Sequence, residues 1–488
     1  MNVLVYTTYH FNSETIGPYL EVIQKHLIEN DKVEILTCKG ELSACQINPN
    51  HSKIVCKLCT KMHINAFECL EGSYNLEYLE KSFKEFSRSQ ISQDIDDIEE
   101  FKSIYYKNFD IGLAVLSSLV SIIRDPNPDL SKHQLLINKL WNSSIDIYEA
   151  ISSKLATGNY EVVYVFNARF ANLRACLRAC EAQKLKCMVL EEGRDRKSYS
   201  VFPNVLPHSR KYRTFLINEL WENSTEDKVD VAQNYYNRRS QSIDIFNARF
   251  TENQELNLLP SSWDESCRNI VIFNSSEDEF VSVGKEWENE LYPNQVTGIS
   301  KIVKDLENEN NFKVYLRIHP NLKGIYNESI TKLFEIKAKN FEIILPESPI
   351  STYAMMASAD VVLSFGSSAG IEAVIMNKPS ILLGKCFYND LGSTYNPSSH
   401  NEVIELVKNQ NLEPKPVIGA LKYGYMLARF GNDYQFFQRI NTFEGRLNSK
   451  KFNAGELMTI IRKIGRKFRL FIKEREINSN IQKVKELI

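Results

Sequence analysis

A chain of 488 residues exceeds what one ordinary hydrophobic core supports and predicts roughly two to four domains. With 43% hydrophobic and 25% charged residues it has a globular balance, not that of a disordered tail. A formal charge of -2 supplies no overall field for nucleic acid, so nucleic-acid binding is not expected.

In chain order, residues 2–7 form an apolar run that predicts a first strand, followed by a polar loop with His10, Asn12 and Glu14. Helical spacing over 19–28 and a second apolar run at 32–37 complete a βαβ start. That start puts the His10 loop at the carboxyl end of a strand, where doubly wound sheets bind ligands. The opening residues show no charged n-region, and no run of about eighteen apolar residues predicts a spanning helix. The expectation is a cytoplasmic protein whose ten cysteines are reduced.

Cys38, Cys45, Cys56 and Cys59 follow, separated by six, ten and two residues. The closing Cys-Lys-Leu-Cys pair has the spacing of a zinc ribbon, so a structural zinc ion is one reading. Buried free thiols or a redox pair are the other, an iron–sulfur cluster is a remote third, and His51, His63 and Cys69 are further candidate ligands. Residues 74–154 read as a helical insertion, and 161–166 as a strand ending in Asn167-Ala168-Arg169-Phe170. A helix over 171–184 leads to a strand at 187–190 that closes on Glu191-Glu192-Gly193. A carboxylate at such a strand end, beside an arginine and a histidine, suits activation of a hydroxyl, which makes His10, Arg169 and Glu192 candidates. For Arg169 a structural ion pair with Glu191 or Glu192 is the competing reading. Residues 199–208 read as a loop with helical connectors after it, and 259–262 as a linker. The first domain is therefore drawn at 1–260.

A second alternation occupies 261–400. Its strands are expected at 269–273, 313–318, 341–345, 361–363 and 380–383, with polar residues at their ends. These are Ser275, Ser276 and Glu277 after the first and His319 just after the second, with Arg317 inside that run. The stretch 359–384 is the most informative. A strand runs into a turn of small residues (Ser364, Gly366, Ser367, Ser368, Gly370), and an apolar pattern at helical spacing follows from Ile371, with Glu372 just inside that helix. Free N–H groups at such a turn favour a phosphate or carboxylate, and Glu372 is placed to meet a hydroxyl of the same ligand. A tight turn with no ligand explains the small residues as well. Residues 401–488 read as a helical tail. Within it a basic amphipathic helix at 456–473 fits either the inner face of the cytoplasmic membrane or a cover for the first domain.

The fold class predicted is α/β: two Rossmann-like domains with a helical insertion and a helical tail. RIHPN at 317–321 and SFGSSAGIEAVIMNKPSILLG at 364–384 resemble the donor-domain motifs of GT-B-fold bacterial glycosyltransferases of capsule and lipopolysaccharide synthesis, including the Kdo-transferase class. The Cys-rich loop, the NARF and EEG turns and NSSEDEF at 274–280 are similar to capsular polysaccharide biosynthesis proteins. The resemblance implies transfer of a sugar from a nucleotide sugar to a glycan or lipid-linked glycan acceptor. No catalytic metal is expected, because no Asp-x-Asp pair stands at a convincing strand end. It implies donor contacts at Ser275, Ser276, Glu277, Arg317, His319, Ser367, Ser368, Ala369, Gly370 and Glu372. The acceptor would bind the first domain, with His10 or Glu192 as base. A nucleotide-sugar epimerase, a polymer phosphotransferase and a non-catalytic scaffold of an envelope assembly complex are the alternatives.

Overall fold

The computed structural model describes residues 1–9, 12–79, 95–241, 254–455, 479 and 482. His10 and the basic helix expected at 456–473 lie outside the described residues. The chain divides into two compact units, one of Met1–Ser209 with the segment from Phe430, the other of Arg210–Arg429. The division falls at 209/210 and 429/430, not at the composition breaks near 260 and 400.

The first unit carries β1 (Asn2–Thr7), β2 (Lys32–Thr37), β3 (Tyr74–Tyr78), β4 (Val162–Phe166), β5 (Lys186–Glu192) and β6 (Ser198–Pro203). Their order in the sheet is β6-β5-β4-β1-β2-β3, parallel except for β6. Because β2 and β4 flank β1, the strand order reverses between β1 and β4, and the loops after Thr7 and Phe166 open at a topological switch point. Two expectations are corrected here. Residues 74–78, assigned to a helical insertion, are the edge strand β3. Residues 198–203, taken largely as loop, pair antiparallel with β5, and Tyr199 and Phe202 are buried there. The insertion's helices Ile111–Ile123 and Gln134–Thr157 are as expected. Their buried Arg174–Asp110 pair, joined by Arg178, ties the first of them to the helix Ala171–Ala182.

The second unit has a fully parallel sheet of β7 (Arg268–Phe273), β8 (Phe312–Arg317), β9 (Phe341–Ile344), β10 (Val361–Ser364) and β11 (Ser380–Leu382), ordered β11-β10-β7-β8-β9. All five lie within about a residue of the expected limits; β7, β8, β10 and β11 are largely buried, as a parallel sheet covered on both faces demands, and the edge strand β9 is mostly half-buried. Its switch point lies between β7 and β10, whose carboxyl ends are Phe273 and Ser364. Helices Lys228–Ser240 and Ile418–Arg429 pack together in the same unit.

The chain then returns to the first unit. β12 (Asn432–Asp433) extends its sheet beside β6, and β13 (Phe437–Asn441), β14 (Glu444–Leu447) and β15 (Lys450–Phe452) form an antiparallel meander. The expected helical tail is thus wrong over 432–452. Asn448 and Ser449, both at positive φ, make a hairpin turn, and Phe437, Leu447 and Phe452 point into the core against helix Ser13–Ile28. Glu21 of that helix is fully buried and accepts the backbone N–H groups of Gln435, Phe436 and Phe437 at 2.9–3.0 Å. Among the described residues no helix is long and apolar enough to cross a membrane.

Candidate functional site

At the switch point of the second unit a cavity of about 290 Å³ opens between the turns after β7 and β10, walled on the far side by helices Lys228–Ser240 and Ile418–Arg429. Gly366 (φ 85°) lets the turn after β10 reverse, since a side chain there would be strained and its Cβ would meet the Lys385 carbonyl at 2.7 Å. Ser275 braces the two turns: its hydroxyl donates to the Phe365 carbonyl (2.8 Å) and its N–H to Gln295 Oε1 (2.9 Å). The Ser367 carbonyl accepts the hydroxyls of Tyr388 (2.5 Å) and Ser364 (3.0 Å), which leaves the turn's N–H side facing outward. The backbone N–H groups of Ser367 and Ser368 have no acceptor among the described residues. Ser276 lines the same cavity, and its buried hydroxyl has no partner among the described residues.

Glu372 sits behind this turn, 7% exposed, and both its oxygens are held. Arg239 Nε donates to Oε1 (2.8 Å) and the Tyr353 hydroxyl to Oε2 (2.6 Å), while Arg239 Nη2 also reaches Ser368 Oγ (3.0 Å). The Glu372 charge, set against burial, raises the Arg239 pKa, and burial together with Glu372 raises that of Tyr353. The result is a fixed Arg239–Glu372 ion pair at the cavity wall, with the guanidinium also bonded to Ser368 of the turn. Opposite it stands an aromatic corner: Phe280 stacks on Trp287 (4.3 Å between centroids, 16°), and Phe387 meets Trp287 edge-on at 5.1 Å.

Of the residues expected to hold the donor, Ser275, Ser276, His319, Ser367, Ser368 and Glu372 line this cavity. The other four are placed elsewhere. Arg317 is 2% exposed and donates to the carbonyls of Leu345 (2.6 Å) and Ser348 (3.3 Å), and burial lowers its pKa to about 10, so it braces the loop after β9. Glu277 accepts the N–H of Gln295 (2.9 Å), the first residue of a helix, and burial raises it to about 7. Ala369 is buried, and at Gly370 the space a Cβ would fill is taken by the Tyr388 hydroxyl (2.5 Å) and Ser364 Cβ (2.7 Å). Arg239, Tyr353 and the aromatic corner were missed. Arg239 lies some 130 residues before the turn it serves, and nothing in its helix's pattern marks it.

In the first unit the carboxyl ends of β4 and β5 lie side by side. Asn167 and Ala168, both at positive φ, turn the chain so that Asn167 Nδ2 donates to Glu191 Oε2 (2.7 Å). Glu191 Oε1 accepts the N–H of Glu192 (3.1 Å). The Glu192 carboxylate has no hydrogen-bond partner among the described residues, and burial, aided by the neighbouring Glu191 charge, raises it to about 7. Arg169 is turned away into the insertion: it is 7% exposed and its Nε donates to Ser117 Oγ (2.9 Å). The four cysteines of the 38–59 segment surround one small cavity at the ends of β1 and β2. The ribbon expected there is in part a helix, since Cys56 and Cys59 lie on Lys53–Phe67.

The fold and site define an α/β chain with a Rossmann-like sheet in each unit and an anion-ready, aromatic-walled cavity at the second switch point. Residues 267–435 match the family model of capsule polysaccharide biosynthesis proteins, a stretch of about a third of the chain that holds all five strands of that sheet. This bears out the resemblance carried by RIHPN and the turn at 364–384. No curated protein matches the sequence. Among solved structures, a beta Kdo 2,4 transferase, KpsC of Thermosulfurimonas dismutans, is similar at 15% identity over 54% of this chain and 79% of that one, with a TM-score of 0.34. The UDP-GlcNAc 2-epimerase of Neisseria meningitidis, bound to UDP-GlcNAc, is similar at 12% identity over 89% and 96%, with a TM-score of 0.28.

Proposed function

We propose that the chain is a glycosyltransferase of capsule synthesis, moving a sugar from a nucleotide-activated donor to a growing cell-surface glycan. The observation that carries the reading is the second-unit cavity, which lies within or beside the stretch matching the capsule family. It offers the unpaired N–H groups of Ser367 and Ser368, the orphaned Ser276 hydroxyl and the Arg239 guanidinium. Backbone N–H groups and a cation are the groups that bind phosphates and take up charge on a phosphate leaving group. The aromatic corner supplies flat apolar faces suited to a base or a sugar ring.

In the reaction proposed, an acceptor hydroxyl oxygen forms a bond to the anomeric carbon as the carbon–oxygen bond to the nucleotide phosphate breaks. The bonding pair leaves with the phosphate, and the hydroxyl proton passes to the Glu192 carboxylate. A carboxyl near pH 7 with no competing partner is suited to that role. Charge uptake by Arg239 and the turn N–H groups supports transfer without a catalytic metal, and chelator-treated protein is expected to keep its turnover.

The test is to supply CMP-, UDP- and GDP-activated sugars with and without an acceptor glycan and to follow nucleotide release. Release that depends on the acceptor is expected. A changed sugar formed without acceptor identifies an epimerase instead. If no nucleotide or nucleotide sugar raises the melting temperature, the reading is overturned in favour of a scaffold.

A further inference from the structure

The 38–59 segment takes no part in the function proposed above, yet it brings four cysteines to the lining of one cavity in the first unit. Cys38 follows the last residue of β2, Cys45 lies in the loop beyond it, and Cys56 and Cys59 stand three residues apart on helix Lys53–Phe67, on one face. All four line the same cavity of about 30 Å³, and all are free of disulfides. Gly40, at φ 109°, turns the segment after Cys38 back over Cys56, so that an added Cβ would lie 3.4 Å from the Cys56 Cβ.

Burial pushes the Cys38, Cys45 and Cys56 thiols up, and two N–H donors act against it. The Gly40 N–H donates to Cys38 Sγ and the Asn48 side-chain amide to Cys56 Sγ, each at 3.2 Å, and such N–H···S bonds favour thiolate over thiol. Asn48 is itself fixed, its Oδ1 accepting the Ser52 N–H at 2.8 Å. The rest of the lining includes Leu42, Ile47 and Val55, which keep water away. Two hydroxyls in this lining, Thr8 and Tyr9, are 2% and 6% exposed and have no partner among the described residues. Buried polar groups without partners are uncommon, and these two belong to residues that line the cavity the sulfurs share.

We propose that Cys38, Cys45, Cys56 and Cys59 form a tetrathiolate metal centre that pins the 38–59 segment to the carboxyl edge of the first sheet. Four thiolates complete a coordination shell and leave no open position, so the centre is structural or electron-storing and takes no substrate. Among the described residues no three of these sulfurs lie mutually within 4.8 Å. Thiolates about 2.3 Å from a single tetrahedral ion would sit about 3.8 Å apart. One zinc ion therefore requires the segment to contract onto it, whereas an iron–sulfur cluster, with its own bridging sulfides, spans a wider set. Both are the same thiolate chemistry, and the metal is decided by measurement.

The full chain, purified anaerobically without chelator, is analysed for zinc, iron and acid-labile sulfide. About one zinc per chain, or iron with matching sulfide and a broad visible absorption, supports the centre. Cobalt(II) added to the metal-stripped wild-type chain should give the intense bands of tetrahedral thiolate coordination if zinc is the native ion. C45S and C56S should lose the metal and melt at lower temperature, while C267S, outside the cluster, keeps it. The proposal is overturned if the wild-type chain, after reconstitution with zinc or with iron and sulfide, holds under about one metal in ten chains. It is overturned equally if C45S and C56S retain full metal.

Discussion

The two sheets place polar side chains at the carboxyl ends of strands, at the switch point in the second unit and at the adjoining β4–β5 pair in the first, and treat them in opposite ways. In the second unit the carboxylate is saturated: Glu372 is gripped by Arg239 and Tyr353, and the groups left unpaired are donors, the N–H groups of Ser367 and Ser368 and the Ser276 hydroxyl. In the first unit the donors are consumed by Glu191, and the group left over is an acceptor, the Glu192 carboxylate, held near neutrality. Leftover donors bind an anion and do not titrate near pH 7. A leftover carboxylate near pH 7 exchanges a proton. Two similar scaffolds thus serve binding and proton transfer through which partner is missing.

The comparison breaks most visibly at Glu192. E192Q should lower turnover by about 10²–10⁴-fold while leaving nucleotide affinity within about threefold. The wild-type rate should rise with pH through about 7, as Glu192 loses its proton, and that limb should vanish in the variant. An unchanged rate removes Glu192 from the chemistry. The next largest effect belongs to Arg239. R239A strands the Glu372 carboxylate without its ionic partner and should cost about 3 kcal/mol in urea unfolding, together with most nucleotide affinity. Combining it with E372Q should restore part of the stability and none of the affinity, which separates the two roles.

Smaller losses sharpen the picture of the cavity. In G370A the new methyl meets the Tyr388 hydroxyl and Ser364, and strain of about 1–3 kcal/mol is expected, read as a lower melting temperature. W287A removes the middle ring of the aromatic corner and should weaken nucleotide-sugar binding about three- to tenfold by calorimetry.

The smallest effect expected is at Glu277. Its folded pKa of about 7 lies above the ordinary carboxyl value of 4.5, so the folded state holds a proton the unfolded state has released. That contribution to stability is complete below the unfolded pKa and is lost as pH rises through about 7. E277Q should flatten the fall in melting temperature over that window, and an unchanged slope counts against the assignment.

The second sheet and strands β1, β2, β4 and β5 of the first were legible because buried parallel strands must be largely apolar, as at residues 2–7, 32–37 and 269–273. The small-residue turn at 364–370 was legible for the same reason: its geometry admits few alternatives. What could not be read was set by distant contacts. β6 and the 437–452 meander are half-exposed strands whose pairing partners decide them. Arg317 follows the rule of an arginine at a strand end and yet turns inward to loop carbonyls, which no local pattern reveals. Arg239 reaches the site from a helix with mostly polar sequence, so its importance appears only when its partner Glu372 is in view.

The return of the chain to the first unit at Phe430 has a consequence for synthesis. Glu21 is made early, but the amides that satisfy its buried carboxylate are those of Gln435, Phe436 and Phe437, 414–416 residues later. At about 5–20 residues per second the ribosome needs roughly 20–80 s to cover that interval. Throughout it the part of helix Ser13–Ile28 that packs on β13 and β14, with the Glu21 side chain, lacks that cover. The half begun first is finished last. Nascent chains arrested before Gln435 should accordingly be cut by protease within the first unit and resist it in the second.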